Sequence, residues 1–447
     1  MPETQRDHQQ NLDRVREKEV VGWKMGDLSW SSYEVAVVVA VLGPYLAALI
    51  EDNGGSIDIL GLAIDDAAFF PYAIALSALV QMVTLPLMGA IADHTRFRKQ
   101  TILIPAYIAS VATFGFFFLT KTNILFGGFI YLFSSVGFGL ALVGYNSYLP
   151  LLTSPKNRDR VSSGGAAWGY FGAFSYLLIT LIIFTLLPDN LGLAARLSLG
   201  GSALWCIVFL LIGPQRLLKD RPAAAAKPAN VSWGRLGFLS VFRILKDLRT
   251  TYPQAAKYLI AYLIFVDAVS AIIALATTFG DQELEIESST LLLVILMIQL
   301  VAIPGAVFFG RLAEWIGTKE ALMVNLAAWA IIVFAAFAFM RTVAHYWILG
   351  FFLALVIGGA RALGRSLFSL MIPESEEARY FGFYQMSASG SSWAAPIIFG
   401  VVAQISDSVR LAILPLVAFF IIAIVVLTRV DVETGIAQAK RTELADV

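Results

Sequence analysis

Long apolar runs of about 20 residues, separated by short polar stretches, dominate this chain. A helix of about 20 apolar residues is long enough to cross a bilayer, so each run predicts one transmembrane helix. The pattern predicts twelve such helices, at residues 30–50, 69–92, 100–119, 125–150, 165–187, 194–212, 255–279, 289–309, 320–340, 346–371, 381–403 and 410–428. The predicted fold class is therefore an all-α membrane protein with twelve transmembrane helices.

Polar segments divide the predicted helices into two groups of six. The expected parts are an N-terminal tail, a first half, a linker, a second half and a C-terminal tail, at residues 1–29, 30–212, 213–254, 255–428 and 429–447. Two pseudo-symmetric halves of six helices are typical of transporters that bind substrate between the halves near the membrane midplane.

Lysine and arginine are distributed unequally between the two sides of the predicted bundle. Of the 32 basic residues, 28 fall on the side that carries both tails and the linker. The four on the other side are Lys121, Arg196, Arg341 and Arg410. Because basic loops remain in the cytoplasm, both termini are predicted to be cytoplasmic. The polar N-terminal tail has no apolar core or cleavage site, so it is not a signal peptide.

Composition excludes several other classes of protein. The chain is 58% hydrophobic and 14% charged, which excludes a soluble globular domain. Its formal net charge is zero, and nothing indicates nucleic-acid binding. The single cysteine and the three scattered histidines predict neither a disulfide nor a metal site. No phosphate-binding loop is present either, so we predict no enzyme activity, no cofactor, and transport driven by a gradient.

One short pattern occurs once in each half. The second helix ends in LPLMGAIADHTRFRKQ, where Gly89 precedes Asp93 by four residues and the basic Arg98 follows. The eighth helix ends in IPGAVFFGRLAEWIGTK, where Gly310 precedes Glu314 by four residues. This spacing puts glycine and carboxylate on one helix face, where the glycine allows close helix approach. The carboxylate can then pair with a basic group or with a helix N-terminus.

This repeat, in a chain of twelve predicted helices, resembles the major facilitator superfamily of secondary transporters. The resemblance implies alternating access, in which the two halves rock about a central site. Its implied gating residues are Gly89, Asp93, Arg98, Gly310 and Glu314. We expect the Asp93 and Glu314 stretches to hold the cytoplasmic side closed while the cavity faces outward.

Three further stretches narrow the resemblance. They are LSWSSYEVAVV at 28–38, the neighbouring pair GYNSYLPLL at 144–152 and SSGGAAWGYFGAFSY at 162–176, and RSLFSLMIPESEEARYFGFYQMSASGSSWAAP at 365–396. Together these stretches resemble the autophagy-related vacuolar effluxer family, whose fungal members release amino acids from the vacuole. The resemblance implies efflux of small metabolites, amino acids first. The short linker favours a bacterial member in the plasma membrane, and a vacuolar membrane is expected if the source is eukaryotic.

Charged residues within the predicted helices are the best candidates for a substrate site. A charge at the bilayer centre costs about 2.5–3.5 kcal/mol on insertion scales, so it usually has a partner or a function. Asp267 and Arg361 lie near mid-depth in helices 7 and 10, and Glu34 lies near the start of helix 1. Arg361 could bind a carboxylate, and Asp267 could bind an ammonium group or a coupling proton. The alternative is a purely structural Asp267–Arg361 ion pair.

Arg365, one turn from Arg361, suggests a salt bridge of the inner gate by its place in the family stretch. Asn146, near the inner end of helix 4, and Trp393, in helix 11, complete the candidate substrate-binding set. The small polar residues at 387–392 indicate either close packing or a softened helix beside a substrate path.

The linker holds a second pattern. Apolar Trp233, Leu236 and Leu245 alternate with basic Arg235, Arg243 and other cations, which predicts an amphipathic helix on the inner leaflet. Simple anchoring is the plainer interpretation of that helix, and regulation has little support from the sequence.

The preferred hypothesis is a monomeric secondary transporter whose partners are a small-molecule substrate and membrane lipids. A lipid translocator or scramblase on the same fold is the alternative, and a sensor or scaffold is a third. A scramblase needs polar residues along a lipid-facing groove, whereas Asp267 and Arg361 are expected at the centre.

Overall fold

The computed structural model describes residues 3–59, 61–95, 97–220, 233–286, 288–373, 377–391, 394–406 and 408–445. Within these residues, eleven helices are long and apolar enough to cross a membrane. They correspond to predicted helices 1–10 and 12, and two shorter helices cover the region of predicted helix 11. The predicted fold class, a twelve-helix membrane protein with two halves, is confirmed.

We number the spans 1–12 in chain order. Those of the N-terminal half are span 1 (Glu3–Tyr33, the π-helix Glu34–Ala40 and Leu42–Glu51), span 2 (Asp66–His94), span 3 (Gln100–Phe114), span 4 (Ile124–Leu152), span 5 (Arg158–Leu186) and span 6 (Leu191–Ile212). Those of the C-terminal half are span 7 (Pro253–Leu284), span 8 (Ser288–Ile316), span 9 (Thr318–Phe339), span 10 (Val343–Leu370), span 11 (Glu377–Ser391 and Ala394–Ser406) and span 12 (Val409–Thr428).

Shorter elements connect the spans. The loop after span 1 contains two antiparallel strands, Ser56–Ile59 and Leu62–Asp65, with Ile59 paired to Leu62. The 3₁₀ turns Gly115–Phe118 and Pro155–Asn157 follow spans 3 and 4, and the short helix Pro214–Leu217 follows span 6. The linker contains the helix Trp233–Thr250, which we call the linker helix.

The first span begins earlier than its apolar run. The sequence pattern starts it at Trp30, yet the helix includes Glu3–Tyr33, and Trp23 is fully buried. Charged residues such as Lys24 and Asp27 lower the local hydropathy and conceal this part of the span. Part of the expected N-terminal tail therefore packs in the bundle.

Each half has its own hydrophobic core, and large apolar side chains on the outer surface remain exposed. One cluster fills the C-terminal half, where Trp329 of span 9 stacks on Phe420 of span 12 with ring centroids 5.6 Å apart. Three smaller clusters fill the N-terminal half. The exposed side chains, including Val83 (73%) and Ile331 (68%), form a surface suited to lipid.

The two halves meet along a few pairs of spans. Span 2 packs against span 11, span 5 packs against spans 8 and 10, and span 4 packs against span 11. Most of the described polar contacts across this interface lie near the end that carries the beginning of span 1, the linker helix, the C-terminal helix and the loops 2–3, 4–5 and 8–9. We call this end of the molecule the basic face.

The C-terminal helix, Val432–Ala445, is attached to the basic face at its first turn. The Asp431 N–H donates to Gln254 Oε1 at the start of span 7, and Lys319 Nζ donates to the Val430 carbonyl. The Asp431 carboxylate accepts from the Thr434 hydroxyl and N–H, which lower the pKa of Asp431 below its usual value. This carboxylate therefore caps the helix in its ionised form at neutral pH.

Candidate substrate site and gate

Two exposed charges of opposite sign lie between the halves. Glu34 is the first residue of the π-helix in span 1, and Arg361 lies in the middle third of span 10. Both are exposed although they sit within spans, and each acts electrostatically on the other. π-helical turns inside α-helices are frequent at functional sites. Each half thus contributes one exposed charge, and the two charges have opposite signs.

Three tyrosines interact electrostatically with Arg361. The charge of Arg361 acts on Tyr170 of span 5 and on Tyr262 and Tyr384 of spans 7 and 11. Tyr262 and Tyr384 stack with their ring centroids 4.0 Å apart. We call the five side chains together, Glu34, Arg361 and these tyrosines, the central cluster. The cluster combines one anion, one cation and three hydroxyl groups contributed by both halves.

Asp267 does not belong to the central cluster. Its side chain is buried, at 3% exposure, and its Oδ2 accepts from the Ala395 N–H at 2.9 Å. Ala395 is the second residue of the second helix of span 11, where N–H groups have no partner within the helix. Among the described residues, no ion pair joins Asp267 to Arg361. In the described part of the chain, Asp267 and Arg361 therefore form neither the alternative ion pair nor one common site, because the helix terminus holds the Asp267 carboxylate and Glu34 is the anion that acts on Arg361.

Asn146 and Trp393 were the other two residues of the predicted substrate-binding set, and the structure describes only the first. The Asn146 side chain is buried and its Oδ1 accepts from Arg365 Nη1 at 3.2 Å, so the structure places it in the gate described next. Trp393 lies outside the described residues.

Arg365 joins the two halves one helical turn from Arg361, on the side of the basic face. Its side chain donates from Nε to Ser162 Oγ and from Nη2 to the Ser162 carbonyl, both at 3.0 Å. With the bond to Asn146, the guanidinium of span 10 contacts spans 4 and 5 through three hydrogen bonds. It also lies 3.9 Å from Asp27 of span 1 as an ion pair. One C-terminal arginine therefore binds three spans of the N-terminal half.

Aromatic rings complete this contact. The Arg365 guanidinium carbon lies 4.9 Å from the ring centroid of Trp23 and 5.4 Å from that of Tyr145. These two rings stack with centroids 4.2 Å apart, and the Tyr145 hydroxyl donates to Asp27 Oδ2 at 2.7 Å. A planar, weakly hydrated guanidinium suits such a stacked site better than an ammonium group. We call Trp23, Asp27, Tyr145, Asn146, Ser162 and Arg365 the arginine gate.

A second contact between the halves is built on Asp93 at the end of span 2. Its carboxylate accepts from the N–H groups of Ala378 (3.0 Å) and Arg379 (2.7 Å), near the start of span 11. Arg98 pairs with the same carboxylate at 3.9 Å, and both side chains are buried. Asp93 therefore pairs with a basic side chain and a helix N-terminus at once.

Gly89 allows this approach. A Cβ atom at Gly89 would lie 2.6 Å from the Ala378 carbonyl oxygen, closer than two non-bonded atoms can approach. The predicted gating residues Gly89, Asp93 and Arg98 are thus brought together. We call them, with the first turn of span 11, the span 2–11 latch.

The second copy of the repeat, in span 8, makes only some of the contacts that the first copy makes in span 2. A Cβ atom at Gly310 would lie 2.6 Å from that of Ser163, so this glycine also allows close contact between the halves. Glu314, however, is exposed, and its charge acts on the like-charged Asp159. The polar contact here is made by Thr318, whose hydroxyl donates to Asp159 Oδ2 at 2.7 Å. The predicted latch through Glu314 is therefore replaced by Thr318 and Asp159.

Sequence reasoning missed several residues of the gate. Asp27 and Trp23 fall within the segment predicted to be a tail. Outside the arginine gate, Arg158 of span 5 also joins the halves, since its Nη1 donates to the Ser369 carbonyl at 2.6 Å. Asp27 follows Trp23 by four residues, so an acid and an aromatic ring share one helix face. That spacing, directly before the apolar run, was the available signal.

Comparison with known proteins identifies the chain's relatives. The family model described as "Vacuole effluxer Atg22 like" matches residues 17–440. The "Uncharacterized MFS-type transporter YxiO" of Bacillus subtilis is 29% identical over 430 residues, which cover 94% of this chain and 96% of that protein. "Autophagy-related protein 22" of Yarrowia lipolytica is 24% identical over 482 residues, covering 87% and 80%.

Solved structures show the same fold at low sequence identity. The fucose transporter FucP, a major facilitator superfamily protein in the outward conformation, superposes with a TM-score of 0.68 at 10% identity, covering 93% of this chain and 98% of that one. The human organic anion transporter MFSD10 superposes with a TM-score of 0.69 at 13% identity, covering 93% and 99%.

The two-half fold and these relatives define a membrane transporter of the major facilitator type. Within that class, the chain belongs to the Atg22-like vacuole effluxer family.

Proposed function

We propose that the protein is a secondary transporter that exports amino acids or similar zwitterionic metabolites by alternating access. The observation that carries this proposal is the exposed pair of opposite charges, Glu34 and Arg361, contributed by opposite halves. An amino acid has one carboxylate and one ammonium group. Arg361 would bind the carboxylate through paired N–H donors, and Glu34 would bind the ammonium group.

The contacts at the basic face support a proposal about which side of the transporter is closed in this conformation. We take the basic face as cytoplasmic because basic loops remain in the cytoplasm. The arginine gate and the span 2–11 latch both join the halves at that face, while Glu34 and Arg361, beyond them, are exposed. The described conformation then corresponds to a transporter closed to the cytoplasm and facing outward. Arg365, Asp93, Arg98, Gly89 and Gly310 are its proposed gating residues.

Asp267 retains a separate proposed role, which is proton coupling. The buried Asp267 carboxylate accepts a hydrogen bond from a helix N–H group. If that hydrogen bond breaks when span 11 moves, the carboxylate can bind a proton in its place. Flux measured with and without an imposed pH gradient tests this role. The Asp267→Asn variant, which keeps an acceptor oxygen for Ala395, should lose the effect of the gradient and keep gradient-independent exchange.

The central proposal is tested by flux in proteoliposomes. Arg361→Ala and Glu34→Gln should each lower the flux of a labelled amino acid about tenfold or more, because each removes a charge-assisted contact of about 1.5–3 kcal/mol. Glu51→Gln makes the same chemical change as Glu34→Gln at an exposed residue after the π-helix, and it should retain wild-type flux. Near wild-type flux in both central variants, at equal protein insertion, contradicts the site.

The same vesicles separate the proposal from a lipid translocator. Movement of a labelled phospholipid across the bilayer, with no movement of labelled amino acids, would assign the protein to that other class. Screening amino acids, peptides and organic acids by thermal shift then narrows the substrate.

A further inference from the structure

Over its described side chains, residues 241–250, the linker helix packs on the bundle through the side that carries Ile244 and Leu248. Ile244 and Leu248, four residues apart, are 0% and 5% exposed and belong to the core of the C-terminal half. The helix also packs against span 2 of the N-terminal half and against spans 7 and 11. It therefore contacts both halves at the basic face.

A short chain of contacts connects this helix to the gate. Arg379 donates its backbone N–H to Asp93 Oδ2 at 2.7 Å, and its side chain pairs with Asp247 of the linker helix at 3.4 Å. Its guanidinium carbon also lies 5.3 Å from the ring centroid of Tyr380. One residue of span 11 thus joins the span 2–11 latch to the linker helix.

The opposite side of the linker helix is exposed and basic. Phe242 and Leu245 are 56% and 50% exposed, and Arg243, Lys246 and Arg249 are exposed beside them. Within the described part of the chain, these three cations make no side-chain hydrogen bond or ion pair. Apolar side chains among unpaired cations, on a helix beside the membrane-spanning bundle, match an element that lies in an anionic membrane interface.

We propose that this exposed face binds anionic phospholipid headgroups of the leaflet at the basic face, and that this binding stabilises the closed gate through Asp247 and Arg379. Charge complementarity selects the headgroup, since three cations face outward and the one acid of this segment, Asp247, is held by Arg379. Lipid bound to the linker helix restricts the movement of that helix and of its residue Asp247. Arg379, which is paired with Asp247, then keeps the first turn of span 11 in contact with Asp93. This inference rests on the proposed gating at the basic face and is independent of which substrate is transported.

The first experiment measures binding of the full-length protein to phosphatidylglycerol, using native mass spectrometry and exchange from phosphatidylcholine nanodiscs. The variant Arg243→Gln/Lys246→Gln/Arg249→Gln should lose affinity about fivefold per charge removed. The control variant Lys156→Gln/Arg160→Gln/Arg429→Gln removes three exposed cations elsewhere on the basic face and should bind like wild type. Equal binding by both triple variants overturns the proposal. So does displacement of phosphatidylglycerol by an RNA homopolymer or an acidic peptide at a lower concentration, which would make that polymer the occupant.

The second experiment measures the gate. On a Cys206→Ser background, the rate at which an impermeant maleimide labels Ser369→Cys from the basic face reports gate opening. Phosphatidylglycerol should slow this labelling severalfold relative to phosphatidylcholine in wild type. Asp247→Asn should keep lipid binding and lose the slowing, because it breaks only the connection to Arg379. Slowing that persists in Asp247→Asn overturns the coupling.

Discussion

Two arginines one helical turn apart, Arg361 and Arg365, lie in opposite environments. Arg361 is exposed beside Glu34, whereas Arg365 is 9% exposed and donates three hydrogen bonds to spans 4 and 5. Burying a guanidinium is tolerated only when its donors are satisfied, and Ser162 and Asn146 satisfy them here. The same type of side chain is therefore exposed at one position and fixed in a contact between the halves one turn further on.

This contrast predicts different outcomes for two matched variants. Arg365→Gln should increase maleimide labelling of Ser369→Cys from the basic face about tenfold or more, because each lost bond to a charged group is worth about 1.5–3 kcal/mol. Arg361→Gln should leave the labelling rate unchanged, since Arg361 makes no bond across the gate among the described residues. Equal labelling rates for the two variants would show that Arg365 does not hold the gate closed.

Pairs of helices determine how closely the halves approach. Span 2 meets the first turn of span 11 at Gly89, and span 8 meets span 5 at Gly310. At both crossings, the position of a side-chain carbon is already taken by the opposing helix. Small residues of this kind allow backbones to approach and bring polar partners within bonding distance.

Adding a methyl group at one of these crossings should weaken the closed state. Gly89→Ala places Cβ 2.6 Å from the Ala378 carbonyl oxygen, and overpacking of this kind costs about 1–3 kcal/mol. We expect faster hydrogen exchange at the amides of Ala378 and Arg379, measured by mass spectrometry.

The control for this prediction is Gly169→Ala in span 5. Its Cβ would lie at an ordinary contact distance of 3.5 Å from the Asp27 Cβ. In the Gly169→Ala variant, the amides of Ala378 and Arg379 should exchange at the wild-type rate. If Gly89→Ala also leaves exchange unchanged, the close approach of spans 2 and 11 is not what protects these amides.

At the scale of the whole molecule, the described polar contacts between the halves lie at the basic face, whereas Glu34 and Arg361 of the central cluster are exposed. The arginine gate, the span 2–11 latch and the Thr318–Asp159 contact all lie on the basic-face side of Glu34 and Arg361. Alternating access requires these contacts to break together as the halves rock.

A reversible cross-link between the halves tests this movement. The double variant Ser163→Cys/Gly310→Cys, on the Cys206→Ser background, introduces two cysteines on facing helices. A Cβ atom at residue 310 would lie 2.6 Å from that of residue 163. A disulfide needs about 3.8 Å between Cβ atoms, so a shift of about 1 Å suffices to form it.

We expect oxidation of this pair to abolish flux in proteoliposomes and reduction to restore it. Each single cysteine variant is the control, and oxidation should not change its flux. Full transport by the cross-linked protein would show that spans 5 and 8 need not separate during the cycle.

The number of spans, their division into halves and the basic face follow from the sequence alone. Hydropathy and loop charge act locally on membrane insertion, so they can be evaluated one segment at a time. The glycine and carboxylate of span 2 were also recognisable, because their spacing puts them on one helix face.

Only the tertiary structure decided which charges meet. Arg361 lies near Glu34 and not Asp267, Arg365 pairs with an aspartate from the supposed tail, and Thr318 replaces Glu314. A partner more than 150 residues away is chosen by how the two halves pack, and helix periodicity carries no information about that choice. The sequence determines which side chains enter the membrane, and packing determines which of them bind to each other.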